Sequence, residues 1–368
     1  DKTVVVYGAG EEDSAAMAQL ISEIRGGKVR TYDAGLAAWA ADGNLPMGRL
    51  ANYERLVPPE WLNELVQGRH PVAYPGRRFR LLEVGGGARS EYDRGLIPGA
   101  GYLDTGELEA EPLWNRVSDK DLEAALLAHG MTHDTAVVLY GRDTKVAARA
   151  AAILPYAGIQ DVRLLDGGFE AWTSAGYEAD SGTCTVAPVK AFGKRIPVHP
   201  EYMIDIEGVR VILADDQAEL VNISSWAEYT GNTSGYDYIE SKGRIAGAVW
   251  GHAGSDPWSM DHFRNVDNTM RSYHEIEANW RDWGITPDKR VAFYCGTGWR
   301  ASEAFFCAHL MGWEKIPVYD GGWYEWSADP ANPVESGEPT RSPSSVRSMV
   351  GDRNGEDHAS RREGHGRA

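Results

Sequence analysis

Cysteine, positive charge and long apolar runs are all scarce in this chain of 368 residues. Three cysteines cannot form a disulfide framework, which favours a reducing compartment and predicts a cytoplasmic location. No stretch approaches the roughly 20 apolar residues that a membrane-spanning helix needs. With 37 Lys and Arg against 54 Asp and Glu, the net charge is −17, which argues against nucleic acid and anionic membranes as partners. What remains is a globular composition, 42% hydrophobic and 10% aromatic.

One pattern occurs three times along the chain. It begins with an apolar run ending in Tyr, continues through a helical run, and ends in a second apolar run followed by Asp and then Trp. The Tyr and Asp are 26 residues apart in every copy: Tyr7 and Asp33, Tyr140 and Asp166, Tyr294 and Asp320. The Trp follows the Asp by 6 residues each time: Trp39, Trp172 and Trp326. Chance does not hold two spacings constant over three copies, so the copies are predicted to share one fold.

Each copy is predicted to form a strand, a crossover helix and a second parallel strand. The apolar runs are short, as in a parallel sheet that is covered on both faces. In the third copy a helix is predicted over 301–311, ended by Gly312. The fold class is therefore α/β, with a central parallel sheet flanked by helices in each domain. We expect the recurring Asp to secure the turn after its strand and the recurring Trp to anchor the core.

The second and third copies have matching front halves, whereas the first copy has none. Residues 80–84 and 95–100 of the second copy correspond to residues 220–224 and 243–248 of the third. We predict the rear half of a domain at 1–45, whole domains at 56–178 and 197–331, linkers at 45–56 and 179–197, and a disordered tail at 337–368. Because residue 1 is Asp and a strand follows at once, the missing front half is expected elsewhere, together with any targeting segment.

Only the third copy has a cysteine directly after the Tyr of its first strand. Cys295 opens the segment Cys295-Gly296-Thr297-Gly298-Trp299-Arg300, and the corresponding residues of the other copies are Gly141 and Gly8. With the G-x-I-x-G-A segment at 243–248 and the D-G-G-[FW]-x-x-W ending, this loop resembles the rhodanese superfamily over most of residues 1–331. The resemblance implies tandem rhodanese-like domains, inactive at 1–45 and 56–178 and catalytic at 197–331. It also implies that Cys295 carries sulfane sulfur as a covalent persulfide, without a metal or other cofactor, between a small-molecule donor and a small-molecule acceptor.

The predicted loop suits that chemistry because it joins the end of a parallel strand to the start of a helix. Backbone N–H groups converge there and the helix dipole adds partial positive charge, which would stabilise a thiolate, a persulfide or a released sulfite. Gly296 and Gly298 let the amides turn inward, and Arg300 can add to the field or brace the loop. The spacing is Cys-x4-Arg, whereas rhodanese-like phosphatases have Cys-x5-Arg, so the loop length argues against a phosphatase.

A second resemblance is narrower. The insertion at 230–238, together with Tyr294 and the Cys295 loop, is similar to the multidomain rhodanese-type ergothioneine synthases of anaerobic bacteria, which transfer sulfur from polysulfide to hercynine (trimethylhistidine). This resemblance implies that Tyr236, Tyr294 and Thr297 place hydroxyl groups near the substrate ring. Trp299 is expected to project from the loop and line the pocket. Nine of the 13 tryptophans lie between 226 and 326, and aromatic faces bind quaternary ammonium groups well. Acidic residues such as Asp237 would add attraction.

Three alternatives stay open from the sequence. The chain could be a general thiosulfate or 3-mercaptopyruvate sulfurtransferase, although Trp299-Arg300 departs from the mercaptopyruvate pattern. It could also be a non-catalytic rhodanese-like binding or regulatory protein. Tyr294 could be structural, because Tyr7 and Tyr140 occupy the same place in copies without the cysteine. The sequence leaves the physiological donor and acceptor and the oligomeric state undetermined.

Overall fold

The computed structural model describes residues 3–8, 11–35, 38–39, 50–87, 89–181, 184 and 186–339. The chain forms two compact units, residues 1–49 and 50–368. The disordered tail predicted at 337–368 lies outside the described residues from 340 onward. Among the described residues, no helix combines the length and the apolar character needed to cross a membrane.

The first unit contains a strand, a helix and a second strand. Strand β1 (Val4–Tyr7) and strand β2 (Val29–Tyr32) pair in parallel and are joined by helix α1 (Glu11–Arg25). Their register runs from Val4 opposite Val29 to Tyr7 opposite Tyr32. The predicted strand–helix–strand order is confirmed, while its interpretation as the rear half of a domain stays a prediction.

The second unit holds two α/β domains in succession. Its strands are β3 (Leu56–Val57), β4 (Phe79–Gly85), β5 (Gly101–Asp104), β6 (Glu109–Ala110), β7 (Asn115–Arg116), β8 (Ala136–Tyr140), β9 (Asp161–Leu165), β10 (Met203–Ile204), β11 (Ala218–Asn222), β12 (Arg244–Ile245), β13 (Val249–Trp250), β14 (Arg290–Tyr294), β15 (Val318–Tyr319) and β16 (Val334–Glu335). Its helices are α2 (Pro59–Val66), α3 (Asp119–Ala128), α4 (Thr144–Ala157), α5 (Gly168–Ser174), α6 (Ile206–Leu213), α7 (Trp226–Tyr229), α8 (Tyr273–Asp282), α9 (Trp299–Leu310) and α10 (Gly322–Ala328).

The two domains contain five-stranded parallel sheets of the same topology. The first sheet has the strand order β3-β9-β8-β4-β5, and the second has the order β10-β15-β14-β11-β13. All pairs within these two sheets are parallel. The predicted α/β class, with parallel sheets flanked by helices, is therefore confirmed. Because carboxyl ends of parallel strands share one edge, the loops after β8 and β14 occupy equivalent places in the two domains.

Helices α4 and α9 pack against each other and join the two domains. Helix α4 buries nearly every residue, including five alanines at 147, 148 and 150–152 on either side of Arg149, and helix α9 is buried to the same degree. Small side chains let two helix axes approach closely. One hydrophobic core consequently extends from the first sheet across both helices into the second sheet.

The recurring Trp and Asp of the repeat have different roles. Trp172 and Trp326 are buried, and each indole N–H donates to a backbone carbonyl a few residues further along the chain, as expected of core anchors. The recurring Asp was expected only to secure the turn after its strand, but these carboxylates also accept hydrogen bonds across the domain interface. Asp166 accepts the N–H of Met270, and Asp320 accepts the N–H of Arg116. The repeat thus also fixes how one domain docks on the other.

Candidate functional site

Cys295 lies at the carboxyl end of strand β14, directly after Tyr294. Its side chain is only 2% exposed, and Sγ accepts a hydrogen bond from the backbone N–H of Gly298 at 3.1 Å. The start of helix α10 braces the same turn, because the N–H groups of Trp323 and Tyr324 donate to the carbonyls of Cys295 and Gly296. The sulfur atom is thus held in a rigid turn, with a backbone amide directed at it.

The helix after the cysteine begins at Trp299, two residues earlier than the predicted start at 301, and ends at Leu310. Gly298 precedes it with φ +111°, a conformation that residues with a Cβ rarely adopt. Only residues 295–298 therefore form the loop proper, while Trp299 and Arg300 belong to the first helical turn. This brings the positive end of the helix dipole next to Cys295 Sγ.

Arg300 braces the site by pairing with Glu228. Its two terminal nitrogens donate to the two carboxylate oxygens of Glu228 at 2.9 and 2.6 Å, and both side chains are buried. Ser225 adds hydrogen bonds from its hydroxyl and its N–H to the same carboxylate. Burial opposes the charged form of Glu228, but the guanidinium and these hydrogen bonds hold the pKa of Glu228 below its ordinary range. The charge of Arg300 is therefore largely compensated, and its main effect is structural.

Tyr236 lies over the cysteine loop, as its place in the insertion suggested. Its ring centroid is 5.6 Å from the Arg300 guanidinium, and a Cβ on Gly296 would overlap the ring. Cys295 is near enough to interact electrostatically with the Tyr236 hydroxyl. Burial raises the pKa of Tyr236, so the hydroxyl stays protonated and available as a donor at neutral pH.

A substitution at Gly296 tests this close approach. We expect Gly296→Ala to displace Tyr236, which should lower the free energy of unfolding by about 1–3 kcal/mol and, because the hydroxyl is moved, reduce turnover by roughly 10-fold or more. Steady-state kinetics and an unfolding curve would be measured together. Gly95→Ala is the matched control, since a Cβ there makes only ordinary contacts. Unchanged turnover in Gly296→Ala would contradict the close approach.

The loop borders a cavity of about 520 Å³ between the two domains. The domain that contains Cys295 contributes Tyr236, Tyr238, Pro257, Trp258, Thr297, Trp299 and Arg300. The other domain contributes Gly86, Gly87, Asp104, Thr105, Gly106, Glu109, Trp114, Asp143 and Lys145. Tyr236 stacks on Tyr238 at 5.3 Å and meets Trp258 edge-on at 5.4 Å, and Thr297 interacts with the Tyr238 hydroxyl. The cavity therefore has aromatic walls and a few polar groups near the cysteine.

The domain at 56–178 contributes residues to the cavity, which the sequence did not predict. Lys145 and Asp143 line the cavity, although they belong to the copy without a cysteine. The repeat contained a usable signal, because Lys145 aligns with Trp299 and Asp143 aligns with Thr297. Asp237, which we expected near the substrate, is exposed and lies outside the cavity lining.

The structure does not bring Tyr294 to the cavity. Its side chain is fully buried, and its hydroxyl accepts the N–H of Ile245 at 3.1 Å. Tyr140 makes the same bond to the N–H of Ile97 in the other domain. Successive residues of a strand point to opposite faces, so Tyr294 and Cys295 diverge. The implied role of Tyr294 near the substrate is therefore corrected in favour of the structural alternative.

Comparison with known proteins identifies the family of both domains. The sequence profile of the rhodanese-like domain matches residues 60–175 and 207–329. The thiosulfate sulfurtransferase YnjE of Escherichia coli strain K12 is 53% identical over 293 residues, which cover 79% of this chain and 67% of YnjE. The sulfur carrier protein TtuD of Thermus thermophilus is 30% identical over 296 residues, which cover 78% of this chain and 99% of TtuD.

Solved structures of similar proteins contain substrates and a persulfide. The anaerobic ergothioneine biosynthesis enzyme from Chlorobium limicola, in complex with trimethylhistidine, superposes with a TM-score of 0.88 at 42% identity, covering 91% of this chain and 82% of that one. A variant of EanB with ergothioneine covalently linked to its persulfide cysteine has the same TM-score, identity and coverage. Within the described residues of the present chain, no group of three or more His, Cys, Asp and Glu side chains is arranged to hold a metal ion.

Proposed function

This chain belongs to the rhodanese-like family and is a sulfurtransferase, and from that premise we propose that Cys295 carries sulfane sulfur and transfers it to hercynine. The observation that carries the proposal is that Thr297 and Trp299, which follow Cys295 in its loop, line an aromatic cavity together with Tyr236. The product would be ergothioneine.

The reaction has two balanced steps. First, the Cys295 thiolate attacks the outer sulfur of thiosulfate or a polysulfide, forms an S–S bond, and releases sulfite or the shortened polysulfide. Second, C2 of the imidazole bonds to the outer persulfide sulfur while the S–S bond breaks and Cys295 leaves as a thiolate. The C2 proton is then lost to a base, so carbon is oxidised and sulfur is reduced. In this step the imidazole ring gives up electron density and Cys295 gains negative charge, so the protonated hydroxyls of Tyr236 and Thr297 would donate toward the departing thiolate and stabilise that charge.

The cavity offers complementary surfaces to both ends of hercynine. Tyr236, Tyr238 and Trp258 present aromatic faces and edges, which suit the trimethylammonium group. Lys145 suits the carboxylate, because its ammonium contacts Asp143 Oδ2 at 2.8 Å and donates to the Trp258 carbonyl, which leaves a third N–H for a ligand. A carrier of sulfur alone would need neither surface.

The acceptor is tested on persulfidated protein under anaerobic conditions. Hercynine, cyanide and thiols would be offered separately, and ergothioneine, thiocyanate and sulfide would be quantified. Ergothioneine formation at a rate above that with free persulfide supports the proposal. Thiocyanate without ergothioneine would reject hercynine as the acceptor and leave a general thiosulfate sulfurtransferase, the function of the 53% identical relative.

Tyr236 should matter for the second step alone. We expect Tyr236→Phe to slow transfer to hercynine by about 10²-fold while persulfide formation on Cys295 proceeds at its normal rate. Because burial raises the pKa of Tyr236, the rate should show no loss from tyrosine ionisation up to at least pH 10. Rapid-quench kinetics separate the two steps. Tyr92→Phe is the control, because it removes another buried hydroxyl that donates to the Ala100 carbonyl. Equal slowing of both steps would show that Tyr236 is not specific to transfer.

A further inference from the structure

Trp299 starts the catalytic-domain helix α9, but its side chain is held by the other domain. The indole N–H donates to Glu109 Oε1 at 2.6 Å. A Cβ on Gly86 would lie 3.2 Å from Trp299 Cη2, so the indole ring packs directly on the Gly86 backbone. The orientation of this cavity wall is therefore determined by residues of the domain at 56–178.

Glu109 is itself fixed by a buried charge network. Arg149 Nε lies 2.8 Å from Glu109 Oε2, and both side chains are 0% exposed. Another nitrogen of Arg149 lies 2.5 Å from Asp320 Oδ1, which belongs to the catalytic domain. Buried charges are stable only with close partners, so this network holds Glu109 in one place.

Arg149 also touches the cysteine loop. A Cβ on Gly298 would lie 2.8 Å from Arg149 Nη1, and Gly298 is the residue whose N–H donates to Cys295 Sγ. Nη1 is buried and has no hydrogen-bond partner among the described residues. One guanidinium thus connects the support of Trp299 with the turn that holds the sulfur.

We propose that Gly86, Glu109 and Arg149 form a tryptophan clamp, through which the domain without a cysteine determines which acceptors reach the persulfide. Glu109 and Arg149 are positioning residues, since they act through Trp299. When the clamp is intact, the indole is a rigid wall that favours a planar ring of imidazole size. When it is broken, the indole rotates, and ring-shaped acceptors lose the surface against which they bind. The proposal rests on Cys295 as the sulfur carrier but not on hercynine as the physiological acceptor.

Comparing a small acceptor with a large one distinguishes a loss of Trp299 positioning from a general loss of activity. Cyanide attacks the outer sulfur of the persulfide, forms a C–S bond and releases thiocyanate and the cysteine thiolate, and it is too small to need the wall. In Glu109→Gln, we expect the KM for hercynine to rise by about 10-fold with kcat nearly constant, because a charge-assisted hydrogen bond is lost. The kcat/KM for cyanide should stay the same. Trp299→Phe, which retains a ring but lacks the N–H, should shift the KM for hercynine in the same way, and the double variant should add little.

Glu83→Gln is the matched control. Glu83 is also a buried carboxylate of the same domain, and it is paired with Arg142 rather than with a residue of the cavity. We expect it to lose stability comparably and to keep the wild-type KM. The proposal is overturned if both glutamine variants change the two acceptors alike, or if the Glu109 and Trp299 effects are simply additive. If the wild-type protein does not use hercynine, the same kinetics are measured with the largest acceptor that it does use. The clamp is then tested independently of the proposal that hercynine is the acceptor.

Discussion

Cys295→Ser is expected to abolish sulfur transfer to every acceptor, with a loss on the order of 10³-fold or more. A serine hydroxyl can accept the Gly298 N–H and fill nearly the same space, so the fold should persist. It cannot form a persulfide, and both proposed steps pass through that intermediate. Intact-protein mass spectrometry after polysulfide or thiosulfate treatment should show one added sulfur on the wild-type protein and none at this position in the variant.

The other two cysteines provide the controls for that experiment. Cys184 is exposed, so Cys184→Ser removes a competing thiol and should retain both the adduct and full turnover. Cys307 is buried on helix α9, and burial raises the pKa of its thiol far above the ordinary value, which leaves it protonated and inert. Persistent turnover in Cys295→Ser would reject the persulfide mechanism, whereas full biological activity of the variant without turnover would favour a binding or regulatory role.

Arg300→Met is expected to produce the largest loss of stability, about 3–5 kcal/mol, because it leaves Glu228 buried without its cation. The same change should reduce transfer, since the Tyr236 ring lies against the Arg300 guanidinium. Replacing both partners, as in Glu228→Leu with Arg300→Met, should recover much of the stability, because no unpaired charge remains. Transfer should stay low in the double variant, because Tyr236 still lacks its support. Urea unfolding and rapid-quench kinetics measure the two effects separately.

The stability difference should depend on pH in a definite direction. The pKa of Glu228 is below its ordinary range in the folded protein, so the ion pair stabilises fully above that range and loses its effect as pH falls through the folded pKa. In Arg300→Met, burial without the guanidinium raises the pKa of Glu228, so the variant takes up a proton first, and we expect the difference from wild type to shrink as pH falls toward and through about 4.3, the ordinary value for glutamate. Arg163→Met is the control, since Arg163 is equally buried and pairs with Asp161 at the opposite end of the first domain's strands. It should lose stability without a specific effect on transfer. A pH-independent difference for Arg300→Met would contradict the assignment to Glu228.

The sequence by itself determined the α/β class, the parallel strands and the place of the cysteine. These features are local or periodic, because apolar runs and the Cys295 loop specify their own backbone wherever they occur. The repeat added equivalence between domains, and it identified Trp172 and Trp326 as core residues. The repeat also favoured a structural role for Tyr294, because the equivalent tyrosines occur in copies that have no cysteine after them.

Only the tertiary structure decided which domain supplies which wall of the cavity. Glu109, Asp143, Lys145 and Arg149 lie more than a hundred residues before Cys295. Apart from the alignment of Asp143 and Lys145 with the cysteine loop of the third copy, nothing in the sequence around them indicates a site. They reach it because helices α4 and α9 pack together and bring the domain without a cysteine against the loop. The tertiary structure also decided the side-chain directions, since Tyr294 and Cys295 enter different hydrophobic clusters. Long-range packing, which no local pattern encodes, therefore places the walls of the cavity around the recognisable cysteine loop.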